Sequence, residues 1–221
     1  NTVITYDNAA RKLWPDTNDE IGTFGSASVF VDADNVTFQD LSIRNDAGSG
    51  DLVGQAVALS TNGDGIFFHR CRIVANQDTI YTGGNRSGSG KACRSYYLDC
   101  YIEGTTDFIF GASTCWFEDC TILCKRNSYI TAASTPEGAE FGYVFKNCRV
   151  IADEKTDKMY LGRPWRPFAK TVFIDCELGS HIRKEGWYNW DKKYAEKTTF
   201  YAEYGSKGPG AAPAKDRVKW S

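Results

Sequence analysis

The chain repeats itself, and the repeat fixes what it can fold into. Its unit is an aromatic residue, any residue, usually Asp or Asn, then Cys or Leu, any residue and an aliphatic. Six copies begin at Phe38, Phe68, Tyr97, Phe117, Phe145 and Phe173. They reach their Leu or Cys at Leu41, Cys71, Cys100, Cys120, Cys148 and Cys176, at successive offsets of 30, 29, 20, 28 and 28 residues. Periods of this size built from short β-rich units predict an all-β solenoid. An antiparallel sandwich would show strands every 8–12 residues. A helical fold would need apolar residues recurring at three and four, and here 21 glycines are scattered through the chain.

The unit carries its own geometry. The Cys or Leu and the aliphatic two residues later share one face of a strand. The aromatic three residues earlier has the wrong parity for that strand, so the chain must bend between them. Asp or Asn just before the Cys suits the bend, because it tolerates the left-handed region and bonds its own backbone. Five of the eight cysteines occupy the repeat position, which predicts a stacked ladder of free, buried thiols rather than a disulfide framework. The expected organisation is one domain over 1–221, with solenoid coils over about 29–180 and residues 181–221 packing on the outside as a C-terminal extension. A solenoid needs a cap at each end. Nothing before Asn1 supplies one, so an N-terminal coil is expected to be missing from this chain.

Two coils carry candidate chemistry. FFHRCRIVANQDTIY and YYLDCYIEGTTDFIF place Asp78 seven residues after Cys71 and Asp107 seven after Cys100. Equivalent positions on successive coils stack about 4.7–4.9 Å apart. Two acids that close do not both ionise cheaply, so one is expected to stay protonated and the other anionic. Proton donation and nucleophilic attack can then be divided between them. Gln77 adjoins Asp78, and Gln55 is the polar exception in the strand QAVAL. Two amides near two acids can donate to a developing oxyanion. In YLGRPWRP two prolines and a glycine fix the backbone around Arg163, whose guanidinium could reach Asp107 and keep it ionised. Trp165 could stack on a sugar ring or pack in the core. Trp187, Tyr188 and Trp190 form an aromatic subsite or a hydrophobic cap.

Other chemistries find little support. A net charge of −2 gives no basic field for nucleic acid or a membrane surface. No run of about 18 apolar residues is present. No signal peptide is present, but residue 1 is Asn, so a leader is expected to have been removed. The sequence has no G-x-S-x-G elbow, H-E-x-x-H or C-x-x-C, and His69 and His181 resemble no triad or metal set. The Gly/Ser-rich stretch 82–95 lacks the ending and the helix of a phosphate loop, and reads as a loop bordering a cleft.

GQAVAL (54–59), NQDTIY (76–81), DFIFG (107–111) and YLGRPW (160–165) occur in this order, with ITAAS, EGWYNW and FYAEYGSKGPGA beside them. Together they resemble the pectin methylesterases (pectinesterases) of carbohydrate esterase family 8 over nearly the whole chain. The resemblance implies a right-handed parallel β-helix that removes methyl esters at C6 of galacturonate in pectin. It implies Asp107 as nucleophile, Asp78 as acid and then base, Gln77 and Gln55 as oxyanion donors, and Arg163 as the group that binds the nucleophile. Trp165, Tyr81 and Phe110 are the expected substrate contacts. No metal or organic cofactor is implied. The expected partner is a polysaccharide, methyl-esterified homogalacturonan, with no nucleic acid and no membrane. A monomer acting outside the cell or in the periplasm is expected. Three positions depart from the pattern: Ser60 replaces an arginine, Thr106 replaces a valine, and the N-terminal G-x-Y-x-E segment has no counterpart. A β-helix polygalacturonase or pectate lyase, or a non-catalytic pectin-binding β-helix, are the alternatives.

Overall fold

A computed structural model of the chain describes residues 2–84 and 93–221. Each coil gives one strand to each of three parallel sheets, except the last, which skips the second, so the molecule is a parallel β-helix. The first sheet runs from Thr2–Tyr6 and Leu41–Asn45 through Arg72–Val74, Tyr101–Gly104, Thr121–Cys124 and Arg149–Ala152 to Glu177–Leu178. The second holds Val29–Val31, Leu59–Thr61, Ile80–Thr82, Ile109–Gly111, Tyr129–Ala133 and Tyr160–Gly162. The third runs from Thr37–Gln39, Ile66–His69, Arg94–Leu98 and Thr114–Glu118 to Tyr143–Lys146, Lys170–Ile174 and Phe200–Tyr204.

The repeat unit forms the corner between the third and first sheets. Its bend residue is left-handed in all six copies: φ is 56° at Asp40, 50° at Arg70, 51° at Asp99, 54° at Asp119, 52° at Asn147 and 53° at Asp175. Arg70 is the one copy without Asp or Asn. It is held there by a two-pronged ion pair to Asp40, the bend residue of the preceding coil, at 2.6 and 2.8 Å.

Because the corners superpose, the aromatics form a continuous column inside. Phe38, Phe68, Tyr97, Phe117, Phe145 and Phe173 stack with centroids 5.0, 4.7, 4.6, 4.5 and 4.4 Å apart and nearly parallel planes. The cysteine ladder runs beside it. Cys71, Cys100, Cys120, Cys148 and Cys176 are free, buried thiols. From Cys100 onward, each reaches the carbonyl of the aromatic residue in the preceding coil at 3.4–3.5 Å. A thiol serves here as a small apolar filler with a weak donor.

The short 20-residue offset also has a structural cause. Eleven residues separate Thr82 from Arg94, whereas two separate Gly111 from Thr114. That difference of nine is the difference between offsets of 29 and 20. The expected Gly/Ser-rich loop over 82–95 lies, over 85–92, outside the described residues.

Strand pairing runs past the 29–180 span at both ends. Thr2–Tyr6 pairs with Leu41–Asn45 and is exposed throughout. Phe200–Tyr204 pairs with Lys170–Ile174, so part of the expected outer extension continues the third sheet. Tyr201 and Trp187, each 1% exposed, pack with tilted rings 4.4 Å apart and enter the core, where Trp187 meets Phe173. Neither strand carries the repeat unit, so periodicity alone left them out of the coil.

Phe117 lies mid-column between Tyr97 and Phe145. Phe117→Ala is expected to lower unfolding stability by about 3–5 kcal/mol, through lost burial and the cavity left behind. Urea denaturation checks this, and a loss below about 1 kcal/mol would show that the column does not hold the coils together.

Candidate active site

Register brings the acids together. Ile80 pairs with Ile109, so Asp78 and Asp107, two residues before each, face one another across one rung. The Asp78 amide donates to the Thr106 carbonyl at 3.0 Å. Both aspartates sit at the corner entering the second sheet, and both are left-handed, with φ of 65° and 48°. Aspartate tolerates that region, which turns each carboxylate outward from the pleat. The corner is tight by design of sequence: a Cβ at Gly104 would run into Phe108, the fully buried residue that follows Asp107. Thr79 Oγ1 donates to the Glu103 carbonyl at 2.9 Å and ties the two coils at this level.

Arg163 reaches the pair from the far end of the second sheet. Its amide donates to the Thr131 carbonyl at 2.9 Å. Its guanidinium grips Asp107 with both prongs, Nε to Oδ1 at 2.9 Å and Nη2 to Oδ2 at 2.6 Å. The guanidinium carbon lies 3.9 Å from the Tyr129 ring centroid and 3.5 Å from that of Trp190.

The electrostatics of the two acids differ. Asp78 and Asp107 are 8% and 7% exposed. Burial first, and the charge of Asp107 second, push the Asp78 carboxyl well above its ordinary range, against an opposing pull from Arg163. Burial also pushes Asp107 up, but the Arg163 hydrogen bond and charge, with Lys192 behind them, oppose the push. The arrangement therefore favours the negative charge on Asp107 and the proton on Asp78.

The acids open into a cleft of about 320 Å³ lined by Gln55, Gln77, Asp78, Asp107, Arg163, Phe110 and Trp165, together with Thr23, Phe24, Ala132 and Trp190. Seven of the eight residues singled out from the sequence line it. Tyr81 is the exception: it stands behind the lining, tilted against Phe110 and Phe24 at 5.0 Å from each. The Gln77 side chain packs against the short helix Gly50–Val53, where a Cβ on Gly50 would lie 2.5 Å from Gln77 Oε1. Asn76 Nδ2 donates to the Gly48 carbonyl at 2.8 Å and pins the same loop.

Sequence reasoning missed Thr23, Phe24 and Ala132, and left Trp190 undecided. Thr23 and Phe24 belong to a short 3-10 turn in an otherwise irregular stretch, which carries no periodic signal. The cluster at 187–190 divides. Trp187 caps the core, Tyr188 stacks on Tyr129 at 5.6 Å, and Trp190 lines the cleft. Of the departures from the family pattern, Ser60 is buried beside Tyr81 in register, and Thr106 accepts a hydrogen bond from Ser128 at 2.8 Å.

Such a site defines the class: a parallel β-helix with a buried carboxylate pair, one member clamped by arginine, on the outer face of its second sheet. Comparison makes the class specific. Residues 4–221 match the family described as Pectinesterase. The chain is 38% identical to Pectinesterase 31 of Arabidopsis thaliana, over all of this chain and 67% of that one. It spans 35–39% of the length of several other plant pectinesterases. Among solved structures, the pectin methylesterase from Yersinia enterocolitica superposes with a TM-score of 0.84 at 31% identity, covering 98% of this chain and 78% of that one. A pectin methylesterase in complex with a hexasaccharide gives 0.81 at 30% identity, over 98% and 74%. The chain belongs to the pectinesterase family, and its fold is the right-handed parallel β-helix.

Burial of Asp78 has a consequence for stability. Its folded-state pKa lies above the unfolded value, so the group costs the fold nothing below the ordinary carboxylate range, and the cost grows as pH rises from that range through the raised folded-state value. Asp78→Asn is therefore expected to raise Tm by roughly 2–4 °C at pH 7, with the gain shrinking as the pH is lowered. Scanning calorimetry of the two proteins across pH checks this. An equal or lower Tm for the variant at pH 7 would show that the carboxyl is not desolvated.

Proposed function

We propose that this protein hydrolyses the methyl esters at C6 of galacturonate units in pectin, releasing methanol and leaving acidic pectin. The observation that carries the reading is the two-pronged Arg163 clamp on one of two buried, stacked acids. The substrate class follows from membership of the pectinesterase family and from likeness to a pectin methylesterase complexed with a hexasaccharide.

The geometry supports the following course. Asp107, kept anionic by Arg163, attacks the ester carbonyl carbon through a carboxylate oxygen. The carbonyl electron pair moves onto oxygen, where the Gln77 and Gln55 amides donate to it. Collapse of the tetrahedral species breaks the bond to methoxide, and protonated Asp78 gives its proton to the departing methanol. An acyl–Asp107 anhydride and an anionic Asp78 remain. Asp78 then takes a proton from water, and the hydroxide so formed attacks the acyl carbon. Collapse returns Asp107 as carboxylate and the uronate as its acid, which ionises to solvent. Trp165 and Phe110 offer apolar ring surface beside the reacting ester.

Both enzymatic alternatives fit the site less well. An inverting glycosidase places its carboxyls about 6.5–9.5 Å apart to admit water, wider than one rung. A lyase needs a cluster of oxygen ligands for calcium, and among the described residues no group of three or more His, Cys, Asp or Glu could hold a metal ion. The polymeric substrate supports action outside the cell or in the periplasm.

Asp107→Asn removes the proposed nucleophile while keeping its shape. Methanol release from highly methylated pectin is expected to fall by roughly 10³-fold or more; full activity in this variant would sink the assignment. Gly50→Ala tests the amide. The added methyl displaces Gln77, so kcat is expected to drop about 10-fold to 100-fold, through partial loss of one oxyanion donor. An unchanged kcat in a folded Gly50→Ala protein would remove Gln77 from the mechanism.

A further inference from the structure

The Arg163 clamp is itself held, and the residues that hold it have no role in the chemistry above. Asp107 grips the edge of the guanidinium, while Tyr129 covers one region of its π surface at 3.9 Å and Trp190 another at 3.5 Å. A guanidinium face donates no hydrogen bond, so aromatic rings can cover it without leaving a donor unmet. The Arg163 side chain is 15% exposed. An arginine–carboxylate pair free to move near solvent adds little, so the effect on Asp107 depends on how firmly the guanidinium is held.

Each ring is fixed from elsewhere. Tyr129 opens the strand that follows Asp107 in the second sheet, and is backed by Tyr160 at 5.4 Å and Tyr188 at 5.6 Å. Trp190 is delivered by a strained turn. Trp190 and Asp191 are both left-handed, each with φ of 56°, a conformation that non-glycine residues adopt only where the surroundings impose it. Asn189 imposes it: its Oδ1 accepts from the Asp191 amide at 2.9 Å, its carbonyl accepts from the Lys192 amide at 3.0 Å, and its Nδ2 donates to Glu196 at 2.6 Å. Lys192 Nζ then donates to the carbonyls of Pro164 and Trp165 at 3.2 and 2.9 Å, strapping the turn to the segment that carries Arg163.

We propose that Trp190 and Tyr129 are positioning residues that hold the Arg163 guanidinium between aromatic faces, and that the Asn189–Lys192 turn exists to bring Trp190 there. The proposal rests on the ester-hydrolysis reading for its consequence in catalysis, but its geometry stands apart from it. The charged and titratable groups acting on or facing Asp107 are Asp78, Arg163, Lys192, Tyr129 and the deeper Tyr201. Of these, Arg163 alone among the cations donates to the carboxylate. Loosening it leaves burial less opposed, so the Asp107 carboxyl should hold its proton to higher pH.

Two readouts test this. One is the acid limb of the pH profile of kcat/KM for methanol release. The other is the carbon-13 NMR titration of labelled aspartate carboxyls, which needs no turnover. In Trp190→Leu and in Tyr129→Leu, both midpoints are expected to rise by about half a pH unit or more, while Trp190→Phe, which keeps an aromatic face, restores the parent midpoint. Tyr129 is not among the cleft-lining residues, so Tyr129→Leu should lower kcat with KM nearly unchanged, which a lost substrate contact would not produce. In an Arg163→Gln background, Trp190→Leu should move neither midpoint further. Trp190→Met replaces the leucine variant if that one does not fold. Unmoved midpoints in the folded Leu or Met variants, or a further shift in the Arg163→Gln background, overturn the proposal. Methanol release surviving in Asp107→Asn would instead overturn the ester-hydrolysis reading and leave the NMR result standing.

Discussion

One rung of a parallel sheet separates Asp78 from Asp107, and the remainder of the site is arranged around that proximity. The pairing of Ile80 with Ile109 fixes it, and the same ladder continues from Ile109 to Thr131 and from Thr131 to Gly162, the residue before Arg163. Groups far apart in sequence are thereby placed in order along the solenoid axis. Gln55 comes first, then Gln77 with Asp78, then Asp107, then Arg163. A slip of one residue in any of these pairings would turn the side chains to the opposite face. The inward-facing column of stacked aromatics and the cysteine ladder make such a slip expensive, because it would expose every ring and thiol of that coil.

The core and the site therefore stand in opposition. Two acids nine-tenths buried raise the free energy of the folded state at neutral pH, and among the described residues Asp78 has no basic partner in contact to offset this. What keeps them in place is the continuity of the coils on either side: Phe68 and Tyr97 inside the same two coils are fully buried and stacked at 4.7 Å. Strain follows the same pattern. The left-handed bends of the repeat carry mostly Asp or Asn, for which the region is tolerable, whereas Trp190 is a large aromatic in that region and sits against Arg163.

How much of this the sequence revealed depends on whether a feature recurs. The bend before each repeat Leu or Cys, the aromatic column and the free thiols repeat six, six and five times, and each was legible from spacing alone. The acid pair was legible because both aspartates keep the same seven-residue distance from a repeat cysteine. Arg163 could be suspected from the prolines that stiffen its surroundings, but its hold on Asp107 is a contact across 56 residues, and spacing says nothing of such contacts. Phe24 and Trp190 approach the cleft from irregular segments, and the Gly50 contact with Gln77 depends on the absence of a side chain. The strands Thr2–Tyr6 and Phe200–Tyr204 pair in register without the repeat unit. Singular, long-range packing leaves no periodic trace, and this is where the reading from sequence fell short.

The two aromatic rings against Arg163 also bear on a difficulty within the proposed reaction. When Asp107 becomes acylated its negative charge is gone, and Arg163 is left as a largely buried cation without its anion. A buried charge stripped of its partner is costly, and that cost would oppose formation of the acyl intermediate. Two features of this site reduce it. Charge lost from Asp107 reappears one rung away, because Asp78 becomes anionic on protonating methanol, and Arg163 already acts on Asp78 across that distance. Meanwhile the rings of Tyr129 and Trp190 lie against the guanidinium independently of its hydrogen bonds to Asp107, and their quadrupoles favour a cation whichever acid holds the negative charge. The arginine thus serves the two acids in turn, and the aromatic residues let it stay charged and in place while the negative charge moves between them.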